Sequence, residues 1–196
     1  ISVLPAFPAK TFKEFIAYAK TKPGKLSYGS AGTGSSNHVV GELLKTETGI
    51  DLVHVPFKGG APAMAMLLAN QLDVYIATVP TIVPMVQAGR IRVIAVSSAR
   101  RSPAFPEVPT IAESGLPGFD TTSWFCIVGP AGLPKAIVTR LNSEIVNILN
   151  NAEVKERLTA AGVNVETSTP DALRSFVHAE IQKMRKSVKF SGATVD

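Results

Sequence analysis

The 196-residue chain has a single cysteine, Cys126. One thiol forms no internal disulfide and offers no cysteine metal cluster. Its neighbours in SWFCIVGP are apolar, so Cys126 is expected to be a small buried core residue. Aromatic residues make up only 7% of the chain and are not interleaved with the basic ones, which argues against base stacking on nucleic acid. No apolar run approaches the ~20 residues needed to cross a bilayer, so no membrane span is expected. The opening ISVLPAFPAK has no Met, no basic segment and no signal-type apolar core. Any export signal is therefore expected to have been removed or to lie outside this sequence. Charge excess is small too, at +5. The one dense basic run, KMRKSVK at 183–189, reads as a solvated helix face rather than a nucleic-acid patch.

What is present is a regular alternation. Residues 51–57 (DLVHVPF), 72–78 (LDVYIAT) and 91–98 (IRVIAVSS) are short, apolar and often β-branched, as buried strands are. Helical patterns lie between them: 38–48, stopped by Gly49; 61–70, rich in Ala, Met and Leu; and 80–88, stopped by Gly89. Strand and helix at this spacing predict βαβ units and a parallel sheet. The Pro-rich stretch 99–122 reads as a long connection with one helical turn near 110–114. Beyond it come a strand-like SWFCIVGP, a helix over 134–150, a helix closed by Gly162, a short strand VNVET, and a last helix capped by Thr169 with Pro170 and Asp171 in its first turn. The hydrophobic content of 45% is enough for a sizeable core, as one domain or two small lobes.

The chemistry concentrates in YGSAGTGSSNHVVGELL. Three glycines and four hydroxyls fall within residues 29–36, after a strand end and before a helix. Open α/β sheets bind ligands at that edge. A helix start presents unpaired N–H groups and the positive end of its dipole, and glycines let an anion come close. A tight turn with Ser35 or Ser36 capping the helix would use the same residues. A phosphate loop would end in Gly-Lys-Ser/Thr, but here Ser35 and Ser36 follow the last glycine. A dinucleotide fingerprint would need a small residue at Asn37, and no G-x-S-x-G nucleophile elbow occurs. A compact carboxylate fits best. A second loop, VPFKGGAPA, also follows a strand and precedes a helix, with Lys58 either lending charge or lying at the surface. The third strand ends with Thr78 and Thr81. His38 stands one turn into the first helix, where ligand contact and packing both remain open; His54 on its strand reads as structural. No acid–base pair, nucleophile or metal-ligand cluster is evident, which favours binding over catalysis.

Four segments together resemble a known family: YGSAGTGSSNHVVGELL, VHVPFKGGAPAMAMLLANQLDVYIATVPT, AGRIRVIAVSSARRSPAFPEVPTIAESGLPGF and TSWFCIVGPAGLPKAIVTRLN. In this order, over nearly the whole chain, they are similar to Bug-type periplasmic solute-binding proteins of tripartite tricarboxylate transporters. The resemblance implies a periplasmic-binding-protein-like α/β fold (type II, Venus flytrap), with parallel-rich sheets flanked by helices. It implies two lobes, the first incomplete: a hinge crossing at 1–9, a central lobe at 10–123, and the C-terminal half of the other lobe at 124–196. It also implies a small mono- or dicarboxylate ligand, permease subunits as membrane partners, a periplasmic location, and neither cofactor nor metal. The ligand residues carried over are Ser30, Gly32, Thr33, Gly34, Ser35, Ser36, His38, Phe57, Lys58, Gly59 and Thr78. Ala77 stands where relatives often carry an acid, which favours a plain carboxylate over an amino acid. The facing wall of the cleft is expected to lie outside this sequence, so weak ligand binding is expected of the chain alone. Two other readings compete: the effector domain of a LysR-type regulator, which an upstream helix-turn-helix would mark, and an enzyme acting on a carboxylate, which an acid–base pair would mark.

Overall fold

The alternation of apolar runs and helical patterns becomes a sheet covered on both faces in the computed structural model, which describes residues 1–191. Five strands contribute: β1 (Ser2–Val3), β2 (Leu26–Ser30), β3 (Leu52–Pro56), β4 (Val74–Tyr75) and β5 (Arg92–Val93), in the order β3-β2-β4-β1-β5. β2 runs parallel to both β3 and β4, with Tyr28 opposite His54 and Val74. β1 is the reversed strand, antiparallel to β4 on one side and β5 on the other. The parallel-rich sheet expected from the spacing is therefore present. The strands are shorter than the apolar runs that announced them, and β3 lies at an edge, so Val53 is 48% exposed rather than buried.

Side chains of successive strand residues point to opposite faces. Val74 and Ile76 join a cluster with Phe12 and Phe15 of α1 (Phe12–Lys20) and Val40 and Leu44 of α2 (Ser36–Thr48). The intervening Tyr75 joins a second cluster with Met64 and Leu67 of α3 (Gly60–Leu68) and Ile82 and Val83 of α4 (Val79–Gln87). Helices α1 and α2 thus cover one face, and α3 and α4 the other. Each fully buried Leu or Phe contributes ~1.5–3 kcal/mol of transfer free energy. Local chemistry sets the helix ends. Thr11 Oγ1 accepts from Glu14 N at 3.2 Å while Glu14 Oε2 accepts from Lys10 N at 2.7 Å, a reciprocal cap that starts α1. α2 is closed by Gly49 at φ 69°, a left-handed conformation that glycine adopts at little cost.

Past the sheet, Val96 pairs with Thr110, and Ser114 N donates to Thr110 O at 3.1 Å in the single turn expected there. The rest is helical: α5 (Lys135–Asn150), α6 (Ala152–Ala160) and α7 (Pro170–Ser191). Thr169 Oγ1 accepts from Ala172 N at 3.2 Å and so caps α7, which packs along α2. Trp124 stacks edge-on against Phe176 at 5.3 Å, and Lys183 pairs with Asp120 at 2.8 Å. Of the basic run, Lys186, Ser187 and Lys189 lie outside the described side chains.

Three expectations need correction here. Residues 123–130 and 163–167 form no strand, because a strand needs a neighbour for its N–H and C=O groups and none pairs with either segment among the described residues. Cys126 is exposed, not buried. The same cause operates throughout: no described residue from Thr122 onward is buried, and Phe125 (83%), Ile127 (71%) and Val128 (80%) face outward. No helix among the described residues is long and apolar enough to cross a membrane.

Candidate functional site

Strand β2 sends the chain to α2 on one face of the sheet. Its neighbours β3 and β4 send it to α3 and α4 on the other. The carboxyl end of β2 is therefore a topological switch point, where the diverging connections leave a crevice. Three loops meet there. Phe57 N donates to Ser30 O and Gly59 N to Ala31 O, both at 3.1 Å, so the second loop is laced to the first. A Cβ on Gly32 would come within 3.2 Å of Phe57 O, and one on Gly60 within 2.8 Å of Tyr75 Oη and 3.4 Å of Thr81 Cγ2. Glycine at 32 lets the second loop lie against the first, and glycine at 60 leaves room for the side chains of Tyr75 on β4 and Thr81 on α4.

Within the first loop most polar groups are engaged inside the protein. Ser30 is fully buried; its Oγ accepts from Gly32 N at 3.1 Å and lies 2.7 Å from His54 Nε2. Ser35 caps α2, its Oγ accepting from His38 N at 3.3 Å and donating to Gly32 O at 2.6 Å. Gly34 N donates to Nδ1 of the buried His38 at 3.1 Å. Facing outward are Thr33, Gly34 and Ser36. Ser36 and Asn37 occupy the first turn of α2, whose N–H groups have no intrahelical partner. Ser36 Oγ meets Ser123 Oγ at 2.7 Å, which ties the helix start to the segment leaving the sheet.

In the second loop Lys58 is exposed, while Phe57 is half-buried against the α3–α4 cluster. Thr78 is the residue before α4; Thr81 Oγ1 donates to its carbonyl at 2.7 Å. The structure thus gathers Ser30 to Ser36, Phe57 to Gly59 and Thr78 on one rim, with three helix starts directed at it. Beneath them lie Tyr28 and Glu42, and beside Ser36 lies Ser123, none of which the sequence singled out. The spacing of His38 and Glu42, one helical turn apart, was the available sign of the buried network. Among the described residues no three His, Cys, Asp or Glu side chains are grouped to hold a metal ion.

Residues 1–192 match the family described as tripartite tricarboxylate transporter family receptor. BugT of Bordetella pertussis (strain Tohama I) is 33% identical over 189 residues, covering 96% of this chain and 58% of BugT. The solved structure of R. palustris Rpa4515 with adipate superposes with a TM-score of 0.93 at 36% identity, over 97% of this chain and 64% of that one. MatC (Rpa3494) from Rhodopseudomonas palustris with bound malate gives 0.84 at 30% identity, over 95% and 65%. The chain spans less than two thirds of each of these relatives. Its sheet order, its three helix starts and its glycine loop are carried on a periplasmic-binding-protein scaffold, and with the match running almost end to end, the chain belongs to the tripartite tricarboxylate transporter receptor family.

Proposed function

We propose that the chain supplies the ligand-gripping lobe of an extracytoplasmic receptor that captures a small carboxylate and hands it to the permease subunits of a tripartite tricarboxylate-type transporter. The observation that carries this reading is the convergence of three helix starts on one rim. A carboxylate placed there meets unpaired N–H groups and three positive dipole ends, each worth ~0.3–1 kcal/mol. The ligands named for the two solved relatives, adipate and malate, are both dicarboxylates. Residues 10–123 form this lobe in our reading, 1–9 and the segment around Ser123 the crossings to the second lobe, and 124–196 part of that lobe. The outward-facing Phe125, Ile127 and Val128 then pack against chain that the longer relatives possess. The protein works in the periplasm by binding, and ligand bridging the two lobes shifts an open–closed equilibrium. Contacts to the carboxylate fall to Thr33, Ser36, Asn37 and Lys58, with Ser30, Gly32, Gly34, Ser35, His38, Phe57, Gly59 and Thr78 shaping the rim.

A thermal-shift screen of adipate, malate, succinate, aspartate and glutamate tests this, since a ligand that binds only the folded state raises the melting temperature. Dicarboxylates are expected to raise it, and Ser36→Asp to abolish the rise by setting a negative charge at the start of α2. A rise for aspartate or glutamate alone would refute the plain-carboxylate reading. An undiminished rise in the Ser36→Asp variant would refute the site.

A further inference from the structure

Behind the glycine loop lies a stack of three rings for which carboxylate capture gives no role. Tyr28 lies over His54 with centroids 4.9 Å apart and planes at 26°; His54 lies over His38 at 3.9 Å and 10°. Tyr28 Oη donates to Glu42 Oε1 at 2.7 Å, which fixes one end of the stack. The other two rings are fixed to the loop backbone. Gly34 N donates to His38 Nδ1 at 3.1 Å. His54 Nε2 shares a 2.7 Å hydrogen bond with Ser30 Oγ, which in turn accepts from Gly32 N. Two loop amides therefore hang on the imidazoles, one directly and one through Ser30. Gly34 has φ 77° and no atom within 4 Å of where a Cβ would stand, and its N–H is held by His38.

The tether works in one protonation state only. An Nδ1 that accepts from Gly34 carries no proton, so the neutral His38 ring bears its hydrogen on Nε2. A proton taken up by His38 goes to Nδ1, and two donors then face each other across the same 3.1 Å gap. The stacking adds a second constraint: two imidazolium rings 3.9 Å apart repel, so the pair titrates as a coupled unit. The charged groups around the pair are Glu42 and Lys45 of α2, which oppose one another and are themselves paired at 3.0 Å; Tyr28 presents a ring from β2 whose phenol is held neutral by burial and by its bond to Glu42. Burial holds His38 below the usual imidazole range, with Glu42 pulling against it. Burial, then the charge on His38, push His54 down to about 4.

We propose that His38 and His54 are positioning residues that keep the glycine loop in its ligand-ready shape only while Nδ1 of His38 is unprotonated, so that acidification releases first the loop and then the carboxylate. The ligand half of this statement rests on the carboxylate reading above; the loop half stands without it. A receptor of this kind captures its ligand near neutrality and loses it in acid, through groups that never touch the ligand.

The test reads the two halves separately. In ¹⁵N spectra of the full chain at pH 7.5, His38 Nδ1 is expected to be unprotonated. On lowering the pH toward 4, the Gly32 and Gly34 amide signals are expected to move together with the imidazole nitrogens, while those of Gly49 and Gly89 stay fixed. A proton on His38 Nδ1 at pH 7.5, or rings that titrate while Gly32 and Gly34 stay still, overturns the proposal. The second arm measures adipate affinity from pH 7.5 to 4.5 for the native chain and for His38→Asn/His54→Gln, which keeps hydrogen-bonding atoms near the Nδ1 and Nε2 positions without titrating in this range. Adipate takes up its own protons equally in both experiments, so the difference between the profiles is what counts. The native chain is expected to lose at least tenfold more affinity than the variant; parallel profiles overturn the ligand half. Failure of adipate and other dicarboxylates to bind either protein at pH 7.5 counts against the carboxylate reading, and the amide titration still decides the role of the histidines.

Discussion

Gly41 sits in the middle of α2, where replacing glycine by alanine in an exposed helix gains ~1 kcal/mol. Here the opposite sign is expected. A Cβ at position 41 would overlap Cε2 and Cζ of Tyr28 and come within 2.7 Å of its Oη. Tyr28 has no room to retreat: it is fully buried, its ring lies against His54, and its hydroxyl is held by Glu42. Accommodating the methyl forces overpacking worth ~1–3 kcal/mol. Shifting the ring also weakens a hydrogen bond to a charged group, worth ~1.5–3 kcal/mol. Against the ~1 kcal/mol gained by the helix, Gly41→Ala is expected to destabilise by about 2–4 kcal/mol, or roughly 5–15 °C in Tm for a chain of this size. Urea unfolding followed by far-UV circular dichroism measures it. The control is the same substitution in a Tyr28→Leu background, where the overlap is gone and the added methyl is expected to cost far less or to stabilise. A native-background variant as stable as wild type, or an equal cost in both backgrounds, would refute the reasoning.

Ser35→Ala removes the cap of α2 and a bond to Gly32 O, and is expected to cost about 1–2 kcal/mol in urea, with Ser35→Thr restoring most of it. The unfolded chain takes a proton on His54 near 6.5, whereas the folded chain refuses it down to about 4. Stability is therefore full above about pH 7 and falls as pH drops toward 4; the limit is ~3 kcal/mol, reduced by solvent screening of the half-exposed ring to about 1–2 kcal/mol. Urea midpoints at pH 7.5 and 4.5 are expected to differ less in His54→Gln, and identical shifts would refute this. Phe125→Ser is expected to leave the unfolding free energy of this chain, measured in urea, unchanged within about 0.5 kcal/mol, because Phe125 is 83% exposed; a larger loss would show that the side chain is covered.

Local signals carried much of the fold. The loop 31–35, the cap at Ser35 and the left-handed stop at Gly49 could be read from residue type, because each depends on neighbours a few positions away. The parallel β2, β3 and β4 followed from their alternation with helices. For α1 the one local sign is the spacing of Thr11 and Glu14, which is that of a reciprocal cap. β1 has two residues and hence no period to detect. SWFCIVGP has the composition of a strand, but composition does not tell whether a neighbour is present to pair with it. For the candidate site, residue types identified donors, whereas only distances separate those turned inward, such as Gly34 N and Ser30 Oγ, from those left on the rim.

The reversed strand β1 bears on the order in which the molecule assembles. Ser2 pairs with Tyr75 and with Val93, partners many tens of residues along the chain, and among the described residues no other strand bridges β4 and β5. Until β1 docks, β4 and β5 each keep an unpaired edge, and closing so long a loop carries an entropic cost that the short β2–β3 contact avoids. The parallel half around β2 can form early, and insertion of β1 is then the slow, rate-setting event. Pulsed hydrogen exchange would show it as late protection of the Val3 and Ile94 amides relative to those of β2 and β3.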